Sequence, residues 1–119
     1  AGMSSLSTRR TSALKDYLSL VAALPRRGPA AREALAARFC SGDADARVGL
    51  VECFLPLVVA EAALHRGLGL RFEALIAAGN RALAACLHRA PVPDEDRVRR
   101  ALRREFRASL ARAAARRSA

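Results

Sequence analysis

Aromatic residues are scarce in this chain, which has no Trp, one Tyr and four Phe among its 119 residues. The apolar 52% of the sequence therefore consists mostly of Ala and Leu. These residues favour helices, whereas sheets are rich in aromatic and β-branched residues. The length suits one domain with one core. We therefore expect an all-α fold, a compact bundle of about five helices.

Cysteine is also rare, and its three copies form no motif. Cys40, Cys53 and Cys86 lie far apart without CxxC spacing, and His65 and His88 offer no paired ligands. This pattern excludes a disulfide framework and a zinc site, and it favours a reducing, cytoplasmic environment. No apolar run reaches about eighteen residues, and the N-terminal residues contain no signal-peptide h-region before a cleavage site, so we expect neither a membrane span nor secretion.

Motifs for catalysis are missing as well. The sequence contains no GxxxxGK[ST] phosphate loop and no nucleophile motif, and its His and acidic residues are too dispersed for an acid–base or metal site. We therefore expect no enzyme activity, no cofactor, no metal and no small-molecule substrate.

Positive charge, by contrast, is abundant. Twenty Arg and one Lys stand against eleven acidic residues, which gives a formal net charge of +10. This balance is typical of proteins that bind a polyanion or an acidic partner. The alternative interpretation is that the arginines occupy solvated helix surfaces, and the charge alone does not decide between the two.

Helix start and stop signals divide the chain into segments. Residues 1–10 are expected to be a tag remnant and a disordered N-terminus. The first helix then begins at Thr11 or Ser12 and stops at Pro25, and the second begins at Pro29.

The third segment is the most apolar one, and its pattern predicts the central helix. Asp43 or Asp45 caps this helix, and Pro56 lies inside it and is expected to bend it. A fourth helix follows the loop HRGLGLR, and its internal Gly79 indicates close packing against a neighbour.

The fifth segment, 94–117, combines an apolar stripe with a dense positive charge. After a PVP break at 91–93, Asp94 caps the helix. The stripe expected to face the core consists of Val98, Leu102, Phe106, Leu110 and Ala113. From Arg97 onward, nine Arg stand against the single acid Glu105, so residues 97–117 carry most of the net charge.

Residues 43–83, DADARVGLVECFLPLVVAEAALHRGLGLRFEALIAAGNRAL, resemble regions 2.1 and 2.2 of bacterial sigma-70 transcription factors. The similarity is ungapped and includes the runs LPLVV, RG, GL, FE, LI and GN. Residues 11–42 are similar to region 1.2 of that family. The resemblance implies one sigma-like helical domain over 11–119, in which 43–90 corresponds to regions 2.1 and 2.2 and 94–117 stands in place of regions 2.3 and 2.4.

In that family the domain docks on the β′ clamp helices of RNA polymerase and captures unpaired promoter bases. The resemblance therefore implies a set of polymerase-docking candidates, which are Glu73, Leu75, Ile76, Asn80 and Leu83. The family's run DLIQEGN reads ALIAAGN here, so three polar docking residues are Ala74, Ala77 and Ala78. The apolar candidates are expected either to pack on the polymerase or to belong to the core.

The sigma-70 family melts promoters with a run of aromatic residues that reads close to FRFSTYATWWIR. This run is also changed here. Residues 96–107 read DRVRRALRREFR, so Phe106 is the only aromatic residue there and base capture is not expected. The arginines are candidates instead for binding nucleic-acid phosphates without base readout. These candidates are Arg97, Arg100, Arg103, Arg104, Arg107 and Arg112.

Two functions follow from these features. The first is a divergent sigma-like transcription regulatory module that binds RNA polymerase core, the DNA backbone or both, without melting promoters. The second is a sigma-derived protein-interaction domain that has lost polymerase and promoter binding, and an acidic protein surface would satisfy the same arginines. The replacement of acids by Ala and of aromatics by Arg favours the second.

Overall fold

Five helices form the chain in the computed structural model, which describes residues 2–90 and 94–118. They are α1 (Gly2–Ala22), α2 (Pro29–Cys40), α3 (Ala44–Ala63), α4 (Phe72–Arg89) and α5 (Glu95–Ser118). The described residues contain no strand. The expected all-α bundle of five helices is therefore confirmed, while the expected PVP break at 91–93 lies outside the described residues.

Capping residues explain where two of the helices begin. The Asp43 carboxylate accepts hydrogen bonds from the backbone N–H groups of Asp45 and Ala46, at 3.0 and 3.2 Å. Asp43 is thus the cap of α3, and α3 runs through Pro56 as one helix. Asp94 likewise accepts a hydrogen bond from the backbone N–H of Asp96, at 3.0 Å, immediately before α5. Such caps satisfy N–H groups that have no partner within the helix.

The first helix is longer than the sequence predicts. It begins at Gly2, whereas the expectation was a start at Thr11 or Ser12 after a disordered N-terminus over 1–10. The segment contains no proline, and adding a residue to an existing helix costs far less than starting one. The Ser and Thr residues that suggested a cap therefore lie within α1.

Helix α3 lies at the centre of the bundle and packs against each of the other four helices. Its Leu50, Phe54, Val58 and Ala62, spaced four residues apart, are at most 1% exposed. Because residues at this spacing share one face of a helix, they form a continuous apolar surface on which the other helices pack. The prediction of α3 as the central helix is confirmed.

Helix α4 makes its closest contact with the core at Gly79. A Cβ atom placed there would lie 2.8 Å from Cγ1 of Val58 on α3 and 3.1 Å from Cζ of Phe106 on α5. Neither neighbour has room to withdraw, since both are fully buried. The absence of a side chain at Gly79 therefore sets how closely the three helices approach, as the sequence predicted.

Substituting Gly79 tests this close approach. We expect Gly79→Ala to lower the free energy of unfolding by about 2 kcal/mol, because overpacking outweighs the gain in helix propensity of about 1 kcal/mol. Gly49→Ala in α3 is the matched control, since its Cβ would meet only the flexible end of Leu35, at 3.2 Å. Urea denaturation followed by circular dichroism measures both. Equal stability of the two variants would contradict the proposed crowding at Gly79.

A second expectation concerns the cap of α3 at low pH. Hydrogen bonds from Arg38, at 2.8 and 3.0 Å, and from the backbone N–H of Ala46 hold the pKa of Asp43 below its ordinary range. A carboxylate with a lowered pKa stabilises the fold above its unfolded pKa, and this contribution is lost as the pH falls through the folded pKa. Wild type is therefore expected to be more stable than Asp43→Asn at neutral pH, and the two should converge as the pH falls below the ordinary aspartate pKa of about 3.9. Urea midpoints across this range measure the difference, with Asp16→Asn, at an exposed position on α1, as the control for removing one carboxylate.

Candidate nucleic-acid interface

The apolar stripe of α5 fixes which way its arginines point. Val98, Leu102 and Phe106 are fully buried and Ala113 is 4% exposed, as predicted. Leu110 is only partly buried, and Ser109 lies in the core-facing stripe instead. The arginines on either side of this stripe consequently face different neighbours, α3 on one side and α4 on the other.

On the side facing α3, two arginines are held by a buried carboxylate. Glu61 is 4% exposed, and its oxygens accept hydrogen bonds from Nε of Arg99, at 3.1 Å, and from Nε and Nη2 of Arg103, at 3.0 and 3.2 Å. The bond with Glu61 raises the pKa of the Arg103 guanidinium. Arg103, a phosphate-binding candidate from the sequence, is thus already paired with Glu61 inside the protein.

Arg112, another candidate, also has partners within α5. Its Nη2 donates to Oε1 of Glu105, at 3.2 Å, and to Oγ of Ser109, at 3.1 Å. The guanidinium remains more than half exposed, so it is paired but still accessible. Arg107 is exposed and forms no ion pair with a described residue.

The remaining three candidates converge on one open cavity. Arg97, Arg100 and Arg104 line a cavity of about 490 Å³ together with Arg89 from the end of α4. The lining also includes Cys86, Ala101 and one acid, Asp94. None of the four arginines forms an ion pair with an acidic side chain in the described parts of the chain.

A second cavity, of about 220 Å³, lies at the other end of the contact between α4 and α5. Arg81 of α4 and Arg112 and Arg116 of α5 line it, together with Leu70 and three small residues. The α5 arginines that line the two cavities, at positions 97, 100, 104, 112 and 116, are three, four or eight residues apart and so lie along one side of the helix. We call this surface the arginine groove, and its members are Arg81, Arg89, Arg97, Arg100, Arg104, Arg112 and Arg116.

The dimensions of the arginine groove match a stretch of nucleic-acid backbone. From Arg97 to Arg116 the helix rises about 28 Å. This length corresponds to roughly eight base pairs at about 3.4 Å per pair. A guanidinium can bind a phosphate through two parallel N–H groups, so seven arginines provide many possible contacts.

Sequence reasoning missed Arg81 and Arg89, because it sought phosphate contacts only in the fifth helix. The signal was their spacing of eight residues, which places both on one face of α4. That signal becomes informative only once α4 and α5 are known to lie antiparallel. Glu61 was missed too, because it stands in an apolar run and its arginine partners follow 38 and 42 residues later.

The polymerase-docking candidates lie elsewhere, on the side of α4 that faces α1 and the core. Leu75 and Leu83 are fully buried and Ile76 is 6% exposed, so these three belong to the core. The side-chain amide of Asn80 donates to the hydroxyl of Tyr17 in α1, at 3.2 Å. Glu73 is the one exposed candidate of the five.

The described residues provide neither a metal site nor a membrane-spanning helix. No three or more His, Cys, Asp and Glu side chains lie close enough there to hold a metal ion. None of the helices, as far as they are described, is both long and apolar enough to cross a bilayer.

Removing the two arginines that bind Glu61 should destabilise the protein more than removing Glu61 itself. Arg99→Ala with Arg103→Ala strands a buried carboxylate, so we expect a loss of about 3 kcal/mol in the free energy of unfolding. Glu61→Met leaves two arginines that reach solvent and fills the site with an apolar side chain, so it should change stability by about 1 kcal/mol or less. Combining all three substitutions should restore most of the stability lost in the double arginine variant. Thermal and urea unfolding measure the cycle, and additive losses would contradict the assigned pairing.

Comparisons of the chain with protein-family models, with curated proteins and with solved structures find no match. The resemblance of residues 11–42 and 43–83 to the sigma-70 family therefore stays a prediction from the sequence.

Proposed function

We propose that this chain is a non-catalytic module that binds duplex nucleic acid by its phosphates in the arginine groove. The observation that supports this proposal is the convergence of Arg89, Arg97, Arg100 and Arg104 on one open cavity without an ion-pair partner among the described acids. Like charges held together destabilise a fold, and a polyanion relieves that repulsion. Phosphates fit best, because guanidinium groups bind them bidentately.

Backbone binding without base readout is the mode that the groove supports. Its floor consists of small residues such as Ala101 and Cys86, and no aromatic side chain lines either cavity. Stacking of extruded or single-stranded bases requires aromatic platforms. Phosphate contacts position a protein on a duplex but carry no sequence information by themselves. Affinity should therefore depend strongly on salt and weakly on sequence.

The resemblance to sigma factors supports transcription regulation as the setting of this binding, and RNA polymerase is then the proposed second partner. Glu73 is exposed for such a contact, whereas Leu75 and Leu83 are buried in the core. Their burial, together with the Ala residues of ALIAAGN, favours the alternative of a sigma-derived domain that no longer docks on polymerase. Capture of core polymerase by the immobilised chain, with Glu73→Lys as the comparison, distinguishes the two.

Substitutions in the groove test the phosphate contacts. Arg100→Ala with Arg104→Ala removes two unpaired arginines, so we expect the slope of log K against log salt to fall in magnitude by about 1.8. Affinity should drop by about the same factor on unrelated duplex sequences. Fluorescence anisotropy with a labelled duplex of about 20 base pairs, titrated at several salt concentrations, measures both quantities.

The matched control is Arg26→Ala with Arg27→Ala, which removes the same charge from the exposed turn between α1 and α2. This control should keep the wild-type salt slope. An equal loss in both double variants would show that net charge alone matters, and a sequence preference surviving the groove substitution would show base contacts. Preferential binding to an acidic protein with no duplex binding would replace the proposal by the alternative.

A further inference from the structure

The loop between α3 and α4, residues 64–71, carries two leucines that the core does not use. Leu68 is 59% exposed and Leu64 is 70% exposed, while Leu70 between them and α4 packs against the core. Single exposed leucines are common on protein surfaces, so their position and setting decide what they mean. Two features distinguish Leu68 from an ordinary exposed leucine: its loop is held in place on both sides, and arginines surround it.

The loop is fixed on both sides of Leu68. Gly67 and Gly69 adopt φ angles of +80° and +126°, which side-chain-bearing residues rarely adopt. Nη1 of Arg117, near the end of α5, donates to the carbonyl oxygen of Gly69 at 3.0 Å. On the preceding side, Nδ1–H of His65 donates a hydrogen bond to the carbonyl oxygen of Glu61, 2.8 Å away, and its ring lies 4.9 Å from that of Phe106. Leu68 is thus presented by a loop that is anchored to α3 and to α5.

Positive charge surrounds this exposed leucine. Arg66 and Arg71 belong to the same loop, and the guanidinium of Arg66 lies over the ring of Phe72 at 4.6 Å. Leu70, two residues after Leu68, lines the end of the arginine groove beside Arg112 and Arg116. The loop that presents Leu68 therefore lies at one end of the arginine groove, where it also contacts Arg117 of α5.

We propose that Leu68 is an apolar wedge that enters between neighbouring base pairs of the duplex held in the arginine groove. This inference rests on the proposed function, and it adds a deformation of the ligand to phosphate binding. Leucine is among the side chains that partly unstack a base step from the minor groove and kink the duplex. The phosphates beside the step would meet the loop arginines, so charge and wedge act on the same part of the ligand.

The test uses short duplexes of about ten base pairs, close to the length of the groove, each with one 2-aminopurine at a different position. Unstacking raises the fluorescence of this base. Wild type should raise it at one or two adjacent positions, and Leu68→Ala should abolish most of the increase while lowering affinity about tenfold. The salt slope of Leu68→Ala should equal that of wild type, because no phosphate contact is removed. Leu20→Ala, which changes an equally exposed leucine on α1, should behave as wild type.

The outcomes separate the wedge from the phosphate contacts. Salt-dependent binding without any rise in fluorescence would reject the wedge and leave the proposed function intact. No binding of any duplex would reject both. Tight association of wild type with anionic phospholipid vesicles, lost in Leu68→Ala, would assign the leucine to a membrane surface and reject the wedge.

Discussion

The crossing of α3, α4 and α5 at Gly79 is the constraint on which the rest of this structure depends. With only a hydrogen at this position, Val58 and Phe106 reach the backbone of α4 from two sides. The antiparallel helices α4 and α5 then lie close enough for the end of α4 to face the start of α5 across a shared cavity. Since protein interiors are close-packed, a larger residue would move α4 outward and change the width of the arginine groove. Core packing and surface chemistry are thus linked through one residue.

The rotation of α5 about its own axis depends on a second constraint, the burial of Glu61. A buried carboxylate is costly unless its oxygens are paired, and here Arg99 and Arg103 provide the pairing. Residues 97 and 104 lie on the opposite side of the buried stripe at the helical repeat of about 100° per residue. Holding Arg99 and Arg103 against α3 therefore turns Arg97 and Arg104 toward α4. The same ion pairs that anchor the helix also orient its unpaired arginines.

Much of the fold could be predicted from local sequence signals. Asp43, Asp94 and Pro29 mark helix starts because a cap or a fixed backbone angle acts over a few residues. Features set by tertiary contacts could not be found in this way. Adjacent Arg103 and Arg104 have the same local sequence pattern, and only the packing of α5 separates a residue paired with Glu61 from one that lines the groove. The spacing of Leu75 and Leu83 was compatible with core or interface, and only their complete burial in the folded chain assigns them to the core.

The positions of the acidic residues in α5 indicate whether its unpaired arginines stabilise the fold. Glu95 and Asp96 lie in the first turn, where they suit the positive end of the helix dipole and pair with Arg99. Glu105 pairs with Arg112. The helix thus uses its three acids on the first turn and on one end of the groove. Neighbouring members of the unpaired set Arg97, Arg100 and Arg104 are left about one helical turn apart. That spacing is shorter than the screening length of about 8 Å at physiological salt, so their repulsion is only partly screened. An acid paired with them would relieve this repulsion, yet Asp94, the one acid that lines their cavity, forms no ion pair with a described arginine, so the guanidinium groups stay open to a phosphate ligand.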